Sequence, residues 1–130
     1  GHEHVRATHA STLEVTTEPS LTPAGDCIVG VDADRAPADL DPAFVEACRD
    51  ADAKIVATLT SGTLEEVVVG RGDPALTFAD DRGAVVRTSA YVDDRTVLVE
   101  ADKAAADLDR RLVERLADGS ELLLTLSVHP

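Results

Sequence analysis

The sequence predicts a mainly β to α+β fold: a single-domain antiparallel β-sandwich or partly closed barrel of about eight strands, with two helices at about 41–51 and 103–117. Three observations carry that expectation. Short apolar runs bounded by Gly, Pro and Asp recur along the chain. Strands mostly follow strands, so the helices do not alternate with them as parallel βαβ units require. No glycine-rich turn of the phosphate-binding or dinucleotide type is present, which leaves a doubly wound α/β sheet as the weaker alternative.

The elements follow in order. From His4 to Thr17 the chain alternates, with Val5, Ala7, His9, Ser11, Leu13 and Val15 on one face of a long half-buried strand. Glu18-Pro19 and Thr22-Pro23-Ala24-Gly25 turn the chain into a second strand over Cys27–Asp32. Asp41-Pro42 reads as an N-cap followed by a proline at the first helical position, opening the first helix. Lys54–Thr60 and Leu64–Val69 form a hairpin around Ser61-Gly62. Leu76–Ala79 and Ala84–Ser89 flank a second hairpin signal at Asp80-Asp81-Arg82-Gly83, and Thr96–Glu100 follows Asp93-Asp94. Asp102 is expected to cap the longest helix, Lys103 to Ala117, which Asp118-Gly119 stops. Its stripe of Ala105, Leu108, Leu112, Val113 and Leu116 faces a core, with Asp107 and Arg111 paired on the solvent side. Glu121 to Val128 closes the chain as a strand. No linker, repeat or low-complexity tract divides it, so residues 1–130 are treated as one domain.

At 130 residues and 44% apolar content the chain can bury a core, built from Val and Leu because only Phe44, Phe78 and Tyr91 are aromatic. The net charge of −13 excludes a duplex-DNA face, which needs clustered Lys and Arg, and an anionic membrane surface. Three aromatics do not make a stacking platform for single strands. No apolar run is long enough for a membrane span, and no basic-plus-apolar leader is present. The chain contains no Met and opens Gly1-His2-Glu3-His4, so a few native residues or the initiator are expected to be missing. Of 25 acids 16 are Asp, and of 12 bases 10 are Arg. That texture fits a salt-accumulating archaeon whose acidic surface holds the ions of a high-salt cytosol; an ordinary acidic protein is the bland alternative. Two cysteines, Cys27 and Cys48, make no disulfide framework, so a reduced, cytoplasmic protein is expected.

Two motifs, Gly25-Asp26-Cys27-Ile28-Val29-Gly30-Val31 and Ala101-Asp102-Lys103-Ala104-Ala105, stand in that order with Ala7-Thr8-His9, Thr12, Leu21-Thr22, Arg87, Ser89 and Asp94-Arg95-Thr96. In these the chain resembles an archaeal family of uncharacterised proteins, domain of unknown function 371, over nearly its whole length. The resemblance implies an archaeal origin and a small, mainly β domain. It implies no activity.

Six residues are candidates for chemistry. Lys103, expected in the first turn of a helix, would hold or activate an anion beside the positive end of the helix dipole. The bland reading is a surface lysine paired with Asp102 or Asp107. His9, on the apolar parity of the first strand, would move protons with Asp26 as its orienting carboxylate, or be a satisfied core histidine with Asp26 a turn residue. Arg87 interrupts an apolar strand, as an edge guard or as a fork for a carboxylate or phosphate. Thr12 and Asp102 complete the expected ligand-binding set, with Lys103, His9 and Asp26 as its catalytic members. Cys27, on the Val29/Val31 face, reads as an inert buried thiol. No metal site is expected: His2 and His4 do not share parity with His9. The cofactor is unknown. Two functions remain: a small-molecule binding protein or enzyme acting on a phosphorylated or carboxylated ligand, and a non-catalytic interaction module or subunit with a protein or structured-RNA partner. An oligomer whose motifs build the subunit interface is a third. A pocket of about 300–1,000 Å³ with converging polar groups would favour the first, a flat or grooved face the second.

Overall fold

The computed structural model describes all residues, 1–130. Seven strands carry most of the regular structure: β1 (Thr12–Thr16), β2 (Ile28–Gly30), β3 (Lys54–Ser61), β4 (Leu64–Arg71), β5 (Gly83–Arg87), β6 (Thr96–Leu98) and β7 (Leu123–His129). Two helices, α1 (Pro42–Cys48) and α2 (Arg110–Ala117), complete it. One sheet has the order β2-β1-β5-β6 and the other β4-β3-β7. The expected eighth strand, Leu76–Ala79, is not one. Leu76 and Phe78 are buried, but Phe78 has φ of 51°, which breaks an extended run.

The first sheet is mixed where an antiparallel one was expected. β1 is antiparallel to β5, yet β2 runs parallel to β1 and β6 parallel to β5. The reason lies in the connections: residues 17–27 and 88–95 are long loops that carry the chain back before it pairs. The second sheet is antiparallel, and the expected hairpin at Ser61-Gly62 is present, with Gly62 at φ 61°.

The predicted second helix is two pieces. Ala105–Asp107 is a single 3-10 turn, Leu108 is extended, and α2 starts only at Arg110 behind Asp109, whose carboxylate accepts from the Arg111 N–H at 2.9 Å. Asp102 therefore caps no helix, and Lys103 occupies no helical turn. Arg111 pairs with Asp109 at 2.8 Å rather than with Asp107, which caps the Ala104 N–H at 2.9 Å. The apolar stripe is nonetheless buried throughout. Asp41 caps α1 as expected, and that helix ends at Cys48 rather than near Ala51. The long first strand is likewise reduced to β1, because Ala7, fully buried, takes φ of 51°.

Two halves of the chain repeat, contrary to the expectation of no repeat. Asp34–Glu46 and Asp102–Glu114 agree at eight of thirteen positions, sharing the frame Asp-x-Ala-x-Ala-Asp-Leu-Asp-x-x-x-Val-Glu. The backbone repeats with them. Asp39 caps Ala36 as Asp107 caps Ala104 (2.8 and 2.9 Å), and the Glu14 N–H donates to the Cys27 carbonyl as the Val85 N–H does to the Arg95 carbonyl, both 2.8 Å. The left-handed residues come in matching pairs, Ala7 with Phe78 and Asp32 with Glu100. β1–β2 and β5–β6 carry the same bulged register. Glu14 pairs with its own counterpart Val85, and Ala57 of β3 pairs with its counterpart Leu126 of β7, so a pseudo-twofold axis threads both sheets. A core of 21 buried residues draws on both halves.

The sheets do not close into a barrel. Beyond β6, Val99 and Arg71 of β4 exchange two backbone bonds of 2.9 and 3.1 Å and join the sheets on one side. On the other side β7 and β2 have no strand between them.

Candidate functional site

The side chains of Lys103, Asp102 and Arg87 are engaged by neighbouring groups of the fold. Lys103 Nζ donates to Glu66 Oε1 and to the Val67 carbonyl, both at 2.9 Å, which staples β4 to the segment before α2. The Glu66 carboxylate raises the Lys103 pKa, against the lowered value a nucleophilic or Schiff-base lysine needs. Asp102 Oδ1 accepts the Val69 N–H at 2.9 Å, and the Asp102 N–H donates to the Val69 carbonyl at the same distance, so it too holds β4.

His9 lies just before β1. Its Nδ1 accepts the N–H groups of Ser11 and Thr12 at 3.2 and 3.1 Å, with the Thr12 hydroxyl 3.0 Å away. The Asp80 carboxylate does the same for Arg82 and Gly83 (3.0 and 2.7 Å) at the equivalent place in the second half. Accepting two amides at Nδ1 leaves the imidazole proton on Nε2. Asp26 meets His9 through its backbone: its carbonyl accepts from Thr8 and His9 at 3.0 and 3.3 Å, as the Asp94 carbonyl accepts from Asp80. The Asp26 carboxylate makes no hydrogen bond to the His9 ring, so the two residues meet through main chain alone and not as the expected orienting pair. Thr12 belongs to the same turn.

Arg87, 9% exposed, donates to Thr96 Oγ1 at 2.8 Å and to Asp93 Oδ2 at 3.0 Å, with its guanidinium 4.8 Å from the Tyr91 ring centre. Arg95 reaches the same carboxylate at 3.3 Å and Glu14 at 3.9 Å. Cys27 donates to Glu14 at 3.8 Å. Burial pushes the Glu14 carboxyl above its ordinary value despite Arg95, and burial with the nearby Glu14 pushes the Cys27 thiol up. Cys27 is half-buried rather than buried, and the upward shift runs against the thiolate that a nucleophile needs. At Asp93, burial raises the carboxyl, but the Arg95 N–H, Arg87 and Thr96 outweigh it and hold the group below the carboxylate range. Sequence reasoning missed Glu14, since nothing in β-strand alternation marks a carboxylate that will meet Arg95, 81 positions on.

Of the expected set, His9, Thr12 and Asp26 come together around one turn, Lys103 and Asp102 around β4, and Arg87 in an ion cluster with Asp93 and Arg95. No concavity unites the three groups. The largest hollow lies elsewhere, at the open seam: about 1040 Å³, walled by Leu122–Leu126 and by Gly30–Pro37. Leu123 is 61% exposed there. Its charged lining is mainly acidic, from Asp32, Asp34, Asp41 and Glu121 against Arg35. A second hollow of about 300 Å³ sits between α1 and Phe78. No three His, Cys, Asp or Glu side chains converge on one point, and no helix is long and apolar enough to cross a membrane.

The chain is similar to an uncharacterised protein of the archaeon Methanocaldococcus jannaschii, 38% identical over 128 residues, covering 98% of this chain and 94% of that one. Residues 1–129 match the family described as "Domain of unknown function (DUF371)", and the chain belongs to that family.

Proposed function

We propose that the protein is a non-catalytic interaction module that presents the hollow beside β7 to a protein partner. One observation carries the reading: the side chains expected to bind an anion are engaged by neighbouring groups of the fold, while the large hollow beside β7 is lined by leucines and carboxylates. An anionic metabolite needs donors converging on it, and Lys103 and Arg87 spend theirs on Glu66, Val67, Thr96 and Asp93. The acidic rim and the three aromatics also weigh against structured RNA. The excess of Asp and scarcity of Lys further support a halophilic, cytoplasmic setting, with the surplus acids facing a high-salt solution.

The test has two arms. A panel of phosphorylated and carboxylated metabolites is screened by thermal shift in molar KCl, and none is expected to stabilise the protein. In parallel, a photo-cross-linking residue at position 123 is expected to capture one discrete polypeptide in an archaeal host, where the same group at Tyr91 captures none. A metabolite that raises the Tm, with the shift lost in Lys103→Gln or Arg87→Gln, would overturn the reading in favour of the anionic ligand.

A further inference from the structure

The pseudo-twofold axis relates β3 to β7, and β3 carries β4 on its outer edge. No strand of the chain lies at the matching place beside β7. We infer that the seam between β7 and β2 is a strand-acceptor site, filled by an extended segment of another protein that carries a carboxylate and, five residues later, a cation. This rests on the interaction-module reading and specifies its partner.

The groups that hold β4 show what the acceptor site is prepared for. In the second half, Val99 exchanges two backbone bonds with Arg71, Asp102 receives Val69, Lys103 meets Glu66, and Glu100 meets Arg71 at 2.8 Å. Their counterparts are Val31, Asp34, Arg35 and Asp32. The Val31 N–H and C=O and the Asp34 N–H have no backbone partner, and the Asp34 and Arg35 side chains, both exposed, make neither a hydrogen bond nor an ion pair. The neighbouring Asp32 and Ala33 make the bonds their counterparts make, to Glu18 and Thr16, as Glu100 and Ala101 do to Ser89 and Arg87. The segment is therefore held in the receiving geometry, and the groups that lack partners are the ones that receive β4 in the other half.

Burial repeats the pattern. Ile55, Ala57 and Leu59 of β3 are fully buried under the β4 side of the fold, whereas their counterparts Leu124, Leu126 and Val128 are only partly buried. An unpaired β7 edge bordered by exposed leucine is also an edge-pairing liability, which an incoming strand removes. In β4 the carboxylate is Glu66 and the cation Arg71, five residues on, with Val68 fully buried between them. An incoming strand of that pattern would run antiparallel to β7, set its carboxylate against Arg35 and its cation against Asp32, and join β7 to the Val31 edge. That closes the ring of strands at its open seam.

The probe is a synthetic peptide with the sequence of residues 62–72, Gly-Thr-Leu-Glu-Glu-Val-Val-Val-Gly-Arg-Gly, titrated into the isotopically labelled whole chain in molar KCl. The expected result is saturable binding with amide shifts concentrated at Val31–Arg35 and Leu122–Val128. Arg35→Glu is expected to weaken it about tenfold or more, and a peptide with lysine at its Glu66 position to restore binding to that variant. Absence of shifts at millimolar peptide, equal shifts from a scrambled peptide, or indifference to Arg35→Glu overturns the proposal. So does a dimer in free solution whose β7 amides are already protected from exchange, which would make a second copy the occupant. If the peptide fails while position 123 still cross-links one protein, only the strand chemistry falls; if both fail, the interaction-module reading falls with it.

Discussion

Arg35 and Lys103 occupy the same place in the two halves of the chain, 68 positions apart, and only Lys103 has a partner. Its ammonium holds Glu66 and the Val67 carbonyl at 2.9 Å, while Arg35 stands in solvent. A matching sequence position therefore carries two different energies. Lys103→Ala removes two bonds from an ammonium and leaves the Glu66 carboxylate, whose side chain is 12% exposed, with only the Asp109 N–H at 3.4 Å. The expected cost is about 1–2 kcal/mol, a Tm lower by about 3–8 °C. Arg35→Ala is expected to stay within about 0.5 kcal/mol of the parent. Urea melts of the two variants in the same high-salt buffer check this, and equal losses at both positions would contradict the asymmetry.

Arg87 is the most enclosed charge of the fold. Arg87→Ala removes one donor from Thr96 and one from the half-buried Asp93 carboxylate, which keeps Arg95 and Thr96, and about 1–3 kcal/mol of stability is expected to go. Arg87→Lys keeps the charge but cannot donate from both Nε and Nη2, so an intermediate loss is expected. Denaturant midpoints measure both. A lysine variant as stable as the parent would show that the fork geometry carries no weight.

Asp93 and Glu14 titrate in opposite senses. Asp93 is held below its ordinary value, so its contribution is present above about pH 3.9 and disappears as pH falls through the lowered folded value. Glu14 is raised, so it binds its proton more tightly in the fold than in the unfolded chain. Its contribution is present below about pH 4.3 and is lost as pH rises through the raised folded value. Glu14→Gln keeps an acceptor for the Cys27 thiol and removes the buried charge. The variant is expected to gain stability relative to the parent at pH 7 and to match it more closely near pH 4. Urea midpoints at the two pH values decide; a variant weaker at pH 7 would mean that the Arg95 attraction outweighs the burial of the carboxylate.

Legibility in the sequence followed the range of the interaction. The β3–β4 hairpin and the Asp41 cap are local, and alternation, Gly62 and Asp-Pro marked them. The sequence pattern makes the second helix too long, because Ala105, Leu108 and Leu112 keep helical spacing across a 3-10 turn and an extended residue, and the apolar stripe does not register the break. The strand through His9 is too long in the sequence pattern for a related reason: alternation continues past Ala7, while the positive φ there is invisible in an alanine. Lys103 was conspicuous in a chain that prefers Arg, yet its partner Glu66 lies 37 positions away. The one strong signal left unread was internal. Asp34–Glu46 aligns on Asp102–Glu114, so the Asp41-Pro42 cap marks Asp109 as the matching N-cap and sets Arg35 in the place of Lys103.

Salt dependence follows from the charges that the fold leaves over. With 25 acids and 12 bases, a net charge of −13 is left uncompensated. Asp52, Glu65, Glu114 and Asp118 are exposed, and their carboxylates make neither an ion pair nor a hydrogen bond. At molar salt the screening length of about 3 Å uncouples such groups; at 0.1 M it reaches about 10 Å, and the net charge of −13 acts on the whole globule. The protein is expected to lose its fold on dilution below a few tenths molar KCl, followed by circular dichroism. Replacing the four carboxylates by Asn and Gln removes four negative charges without touching a contact, so the midpoint should move to lower salt. Full structure in salt-free buffer would refute the self-repulsion argument. A midpoint that the fourfold variant leaves in place would locate the salt effect in specific ion sites instead.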